Sequence, residues 1–172
     1  MRMNKTKSLA LASVLLAAAL ALSYMERFFP LQLILPLPGV KIGLANIVSL
    51  VALYLIGAKY AFSILIVRCI LTSFFAGSVT SFLFSMTGGV FAMLIMLLSM
   101  RLPFLSVYGV SILGAAAHNI GQIAAAMILM NSVYIGAYLP YLLIISLFTG
   151  FLTGLLSSGV IKALLKTQFP RG

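Results

Sequence analysis

Residues 35–55, LPLPGVKIGLANIVSLVALYL, decide how the chain is read. The stretch opens as a loop punctuated by Pro36, Pro38 and Gly39, passes Lys41, and becomes an apolar run with Asn46 one turn inside. Prolines fit a stiff entry segment, because proline cannot continue a helix interior. A cation and an amide delivered to the mouth of an apolar helix can hold a polar ligand there. The remainder of the chain reads as a frame around that mouth.

The 172 residues are 63% apolar and only 7% charged, with a mean hydropathy of +1.24. Water-soluble domains are nearer half apolar and a quarter charged. Repeated apolar runs of roughly 17–25 residues fit spanning helices. Alternating strands of a barrel are absent from the pattern, so helices are the spanning structure that remains. The expected fold is an all-α integral membrane protein: one domain over residues 1–172, with six transmembrane helices. They fall near 8–25, 42–57, 60–76, 82–100, 108–130 and 138–165. Gly57-Ala58-Lys59 forms a tight link, Arg101-Leu102-Pro103 breaks the fourth helix from the fifth, and Asn131-Ser132 opens the loop before the sixth. The start of the chain has the outline of a signal peptide, a basic end before an apolar run. That run is long enough to span, and it is counted here as the first helix.

Net charge is +10, because Glu26 is the only acid. A basic balance can mark nucleic-acid binding. Here the charges sit at helix ends, which points to membrane orientation instead. With both termini cytoplasmic, Arg2, Lys5, Lys7, Lys59, Arg101, Lys162, Lys166 and Arg171 lie inside, and only Arg27 and Lys41 lie in an outside loop. That loop, 26–41, carries Phe28, Phe29 and three prolines and reads as a stiff lid.

Arg68 falls in the middle of the third helix. A guanidinium inside a membrane is costly and marks a functional site by default. The competing reading is an ion pair, for which Glu26 is the only candidate acid. Thr72 stands one turn beyond Arg68. In the fifth helix His118 and Gln122 share a face, with Asn119 beside Gln122. This group serves either ligand binding or hydrogen bonding between tightly packed helices. One histidine without an acid or thiol beside it is no metal set. Thr87-Gly88-Gly89 reads as a packing notch. Two ridges of small residues suggest close helix contacts: Ser13, Ala17 and Ala21 in the first helix, and Ser146, Gly150, Gly154 and Ser158 in the sixth. A faint echo links LANI at 44–47 with AHNI at 117–120, too short to establish a repeat.

The absences are informative. Without aspartate there is no aspartate-rich motif to hold Mg²⁺ and a diphosphate. There is no phosphate-binding GxxxxGK[ST] loop and no Ser/His/Asp set. The chain reads as a non-enzyme without cofactor or energy source of its own.

The six-helix layout, the small-residue first helix, the long first outside loop and PLPGVKIGLANIVSL at 36–50 resemble the Gx transporter family, also known as heptaprenyl diphosphate synthase component I. That family is similar to the substrate-binding S components of energy-coupling factor (ECF) transporters. The resemblance implies an S-component-like bundle in a bacterial plasma membrane, capturing a small anionic or isoprenoid-related solute from outside. Its partners would be a transmembrane coupling subunit and two ATPase subunits, with Ser13, Ala17 and Ala21 as the docking face. The solute would meet Lys41, Asn46, Arg68, Thr72, His118, Asn119 and Gln122. The synthase name implies a second reading: a non-catalytic membrane subunit anchoring a soluble prenyl synthase. A stand-alone facilitator is a third, and it would need a continuous polar path that the inner helix halves lack.

The charge bias makes a direct prediction. In a Cys69→Ala background, a Ser132→Cys reporter takes up a membrane-impermeant maleimide on intact cells. An Arg101→Cys reporter reacts only after the membrane is opened. The reverse pattern would invert the orientation.

Overall fold

The computed structural model describes residues 4–28, 43–76 and 78–168. They form six α-helices: α1 (Lys5–Met25), α2 (Ala45–Leu55), α3 (Ala58–Ala76), α4 (Val79–Ser99), α5 (Val107–Leu129) and α6 (Leu139–Gln168). Short 3-10 turns follow α1 (Glu26–Phe28) and precede α6 (Val133–Tyr138). No strand occurs among the described residues. Five helical segments are long and apolar enough to cross a membrane. This is the all-α, multi-pass membrane architecture that the composition requires. The segment 29–42, including Lys41 and most of the expected lid, lies outside the described residues.

Helix α2 is the exception in length. Its 11 residues rise only about 16 Å, against a hydrocarbon core of roughly 30 Å. It is shorter than the expected 42–57 because glycines with left-handed backbone bracket it, Gly43 at φ 83° and Gly57 at φ 88°. At its far end both Ile56 and Gly57 donate their N–H to the Ala52 carbonyl, which closes the helix. Such a φ costs a residue with a side chain far more than it costs glycine.

The topology explains what this short helix does. Chain order sets the odd-numbered helices running one way and the even-numbered ones back. Around the bundle, α1 packs on α3, α3 on α4, α4 on α5 and α5 on α6. Helix α2 touches α1, α3, α4 and α6. It buries Ala45 and every residue from Ile47 to Leu53, so it is apolar all round, as a fully enclosed helix must be. The main core cluster joins Leu50 and Val51 of α2 to Leu15 of α1, Leu65 of α3 and Met93 of α4. A smaller cluster, with Phe84, Ile123, Ile135 and Leu142, closes the end where α5 passes into α6.

Small residues set the spacing. A Cβ at Gly121 of α5 would lie 2.9 Å from the Thr87 carbonyl oxygen of α4, and one at Gly150 of α6 would lie 2.6 Å from Ile112 Cα of α5. The Ser146–Ser158 ridge is therefore spent inside the bundle: Ser146, Gly150, Gly154 and Ser158 are all buried. Beside it, Ser111 and Thr153 share a 2.8 Å hydroxyl hydrogen bond. Apolar packing between membrane helices has no lipid-phobic driving force, so close approach and such bonds carry the association. In α1, by contrast, Ser13, Ala17 and Ala21 are exposed and the helix buries Ser8, Ala12, Leu15 and Ala19.

All seven tyrosines lie near helix ends. Tyr24, Tyr134, Tyr138 and Tyr141 mark one end of the bundle, and Tyr54, Tyr60 and Tyr108 the other. Two such levels match the aromatic girdles of membrane interfaces. The 30 residues of α6 rise about 45 Å, more than the hydrocarbon needs.

Gly150→Ala forces a methyl group onto the α5 backbone and lowers stability by about 1–3 kcal/mol. Gly159→Ala meets nothing within 4 Å and is neutral or stabilises by up to about 1 kcal/mol through helix propensity. Thermal unfolding of both variants in the same detergent checks the contrast.

Candidate functional site

Arg68 is the centre of the candidate site. It is the only buried lysine or arginine among the described residues, with 6% of its surface exposed. Its Nη1 donates to Ser23 Oγ at the end of α1 over 3.3 Å. Its Nη2 meets the buried Cys69 sulphur at 3.8 Å, a long contact to a weak acceptor. The buried Nε has no hydrogen-bond partner among the described residues.

Glu26, the candidate ion-pair partner, is turned elsewhere. It lies three residues beyond Ser23, is buried, and its Oε1 accepts the backbone N–H of Leu44 at the start of α2. A carboxylate there satisfies an orphan donor and meets the positive end of the helix dipole. The one acid of the chain thus ties α1 to α2, while the guanidinium one turn away has neutral partners. Burying a charge without a counter-charge costs several kcal/mol, so this is where the structure departs most from what stability alone selects.

The other expected residues divide. Thr72 Oγ1 donates to the Arg68 carbonyl at 2.8 Å and reaches the Cys69 carbonyl at 3.3 Å. It ties to its own helix, a common use of threonine there. Asn119 is buried and its Nδ2 donates to the Leu142 carbonyl of α6 at 3.0 Å. His118 and Gln122 are buried on the other side, against α4: a Cβ at Gly88 would lie 2.9 Å from Gln122 Cγ and 2.9 Å from His118 Cε1. Thr87-Gly88-Gly89 is accordingly a packing notch, since Gly89 receives Leu65 of α3 in the same way, its absent Cβ 2.4 Å from Leu65 Cδ1.

The notch also sets the relative level of the polar groups. Leu65 and His118 meet α4 at adjacent glycines, from α3 and α5, which run in the same direction. Arg68 lies about 4.5 Å of helical rise beyond Leu65, and Gln122 about 6 Å beyond His118. The two therefore stand at one level, on the two helices that pack against adjacent glycines of α4. Asn46 is half-buried in the first turn of α2. Lys41 lies outside the described residues.

Ser23 and Cys69 were not legible as hydrogen-bond partners of Arg68. Ser23 and Arg68 are 45 positions apart, and no spacing rule couples two helices in that way. The adjacency of Cys69 to Arg68 was visible, but an i, i+1 pair does not normally share a face.

A bundle with five helical segments long and apolar enough to span defines the class, a multi-pass helical membrane protein, and among the described residues its buried arginine has no carboxylate partner. The family model described as heptaprenyl diphosphate synthase component I matches residues 15–160, and the chain belongs to that family. No curated protein and no solved structure matches it.

Asn119→Ala removes the side-chain hydrogen bond from α5 to the Leu142 carbonyl of α6. The expected loss is about 0.6–2 kcal/mol, read by thermal unfolding in detergent. Because the amide faces α6, any solute retained by the wild-type protein is retained equally by the variant.

Proposed function

We propose that the chain is a non-catalytic, ligand-holding membrane subunit, and that Arg68 is the group that meets the anionic end of its ligand. The observation that carries this is the buried guanidinium, whose Nε is bare while the only acidic side chain is committed to Leu44. Intramembrane charges without a protein partner mark ligand or ion sites, and a planar fork suits carboxylate or phosphate. His118, Gln122 and Asn46 complete the polar level of the proposed site. The absence of aspartate from the sequence supports a non-catalytic role in any diphosphate chemistry.

Two assemblies can use such a subunit. The family description favours the membrane subunit of a prenyl (heptaprenyl) diphosphate synthase, working with a soluble catalytic chain. The exposed Ser13, Ala17 and Ala21 ridge on α1 favours the S subunit of an ECF-type importer, capturing a small anionic or isoprenoid-related solute. In that reading the ridge docks on a transmembrane coupling subunit driven by two ATPases, in a bacterial plasma membrane. The cytoplasmic links are short, for example the two residues between α2 and α3. They offer little surface for a soluble synthase, whereas α1 offers a whole helix face.

Purification from native membranes in mild detergent, with mass spectrometry of proteins and small molecules, separates the two. A coupling protein with ATPases identifies the importer, and a soluble prenyl synthase alone identifies the synthase subunit. In either case Arg68→Ala weakens binding of the co-purified anion at least tenfold. Equal affinity would remove Arg68 from the binding role.

A further inference from the structure

The bare edge of Arg68 constrains the ligand further, given that Arg68 is the binding centre. A guanidinium offers five N–H donors in a fixed plane. One Nη1 donor serves Ser23. The opposite edge, formed by Nε and Nη2, carries only the 3.8 Å contact to the Cys69 sulphur, and Nε carries nothing. Two parallel donors on one edge match the two oxygens of a carboxylate. An anion can dock there and leave the bond to Ser23 intact.

Charge then limits what docks. No second lysine or arginine is buried among the described residues. A singly charged ligand forms a neutral pair with Arg68. A phosphate dianion or a diphosphate would leave buried negative charge without a counter-charge among the described residues, at a cost of several kcal/mol. A metal ion cannot supply the balance from this chain. Mg²⁺ is held by carboxylates and substrate phosphates, and Glu26, the only acidic side chain, is turned to Leu44. No cluster of three metal-binding side chains occurs among the described residues.

We propose that the ligand of this site is a monocarboxylate, bound side-on to Nε and Nη2 of Arg68 without a metal ion. On the cations that the described residues supply, a prenyl diphosphate is not the molecule held at Arg68, whichever assembly the subunit serves. The carboxylate comes either from a soluble solute or from a fatty acid within the bilayer, and chain length distinguishes them.

The test uses the full-length protein with ¹⁵N-labelled arginine in nanodiscs of zwitterionic lipid. The Arg68 Nε–H resonance is identified by its loss in Arg68→Lys. Acetate, benzoate, octanoate, inorganic phosphate and geranyl diphosphate are titrated, each with and without Mg²⁺. The expected result is a saturable shift with a carboxylate, at least tenfold tighter than with phosphate or geranyl diphosphate, and indifferent to Mg²⁺. Tightest binding by octanoate assigns a bilayer fatty acid, and tightest binding by acetate or benzoate a soluble solute. Tighter saturation by phosphate or geranyl diphosphate overturns the monocarboxylate and leaves Arg68 as the binding centre. No saturable shift with any probe overturns both.

Discussion

Two adjacent glycines hold this bundle together. Gly88 and Gly89 let α5 and α3 press on α4 from two directions at one level, with His118 and Gln122 against the first and Leu65 against the second. A methyl group on either glycine would occupy space already taken. Helices in lipid gain nothing from hiding apolar surface from apolar surface, so contact distance decides which helices associate. Once α3 and α5 are seated on α4, the levels of Arg68 and Gln122 follow from helical rise alone.

The short α2 is the counterpart of that notch. It cannot cross the hydrocarbon by itself at 11 residues, yet it touches four of the other five helices. Its N-terminal turn is held by polar contacts: the Glu26 carboxylate receives the Leu44 N–H, and Ser157 of α6 donates to the Ile47 carbonyl over 3.4 Å. A helix surrounded by protein has its backbone satisfied without lipid exposure, which permits irregular backbone next to it. The same end of α1 supplies Ser23 to Arg68 and Glu26 to α2. The tie to α2 and the contact to the buried guanidinium therefore share one helix end, and α1 also carries the exposed small-residue ridge.

The division of labour between the two polar helices is chemical. Asn119 joins α5 to α6 through a carbonyl of its neighbour, while His118 and Gln122 fill the α4 notch. Arg68 alone combines full charge, burial and a donor without an acceptor. A structural arginine in a membrane protein is normally met by a carboxylate or by backbone carbonyls. Here a serine and a thiol take that place, and neither neutralises it.

Much of the fold was legible from residue type and period. Long apolar runs require spanning helices, Pro103 requires a break, and Gly57 allows the tight reversal between α2 and α3. Each is a local rule acting within a few residues. The burial of Arg68 was also legible, because a guanidinium in the middle of an apolar run has little water within reach. What the tertiary structure decided was who meets whom. Spacing showed that Ser146, Gly150, Gly154 and Ser158 form a ridge, as do Ser13, Ala17 and Ala21, but not that the first is buried against α5 and the second faces outward. It grouped His118, Asn119 and Gln122, whereas packing turned Asn119 to α6 and the other two to α4. It offered Glu26 to Arg68, and the fold gave Glu26 to the N-terminus of α2. In each case the sequence carries the period of one helix, while the azimuth of that helix against its neighbours is set by contacts between residues far apart in the chain.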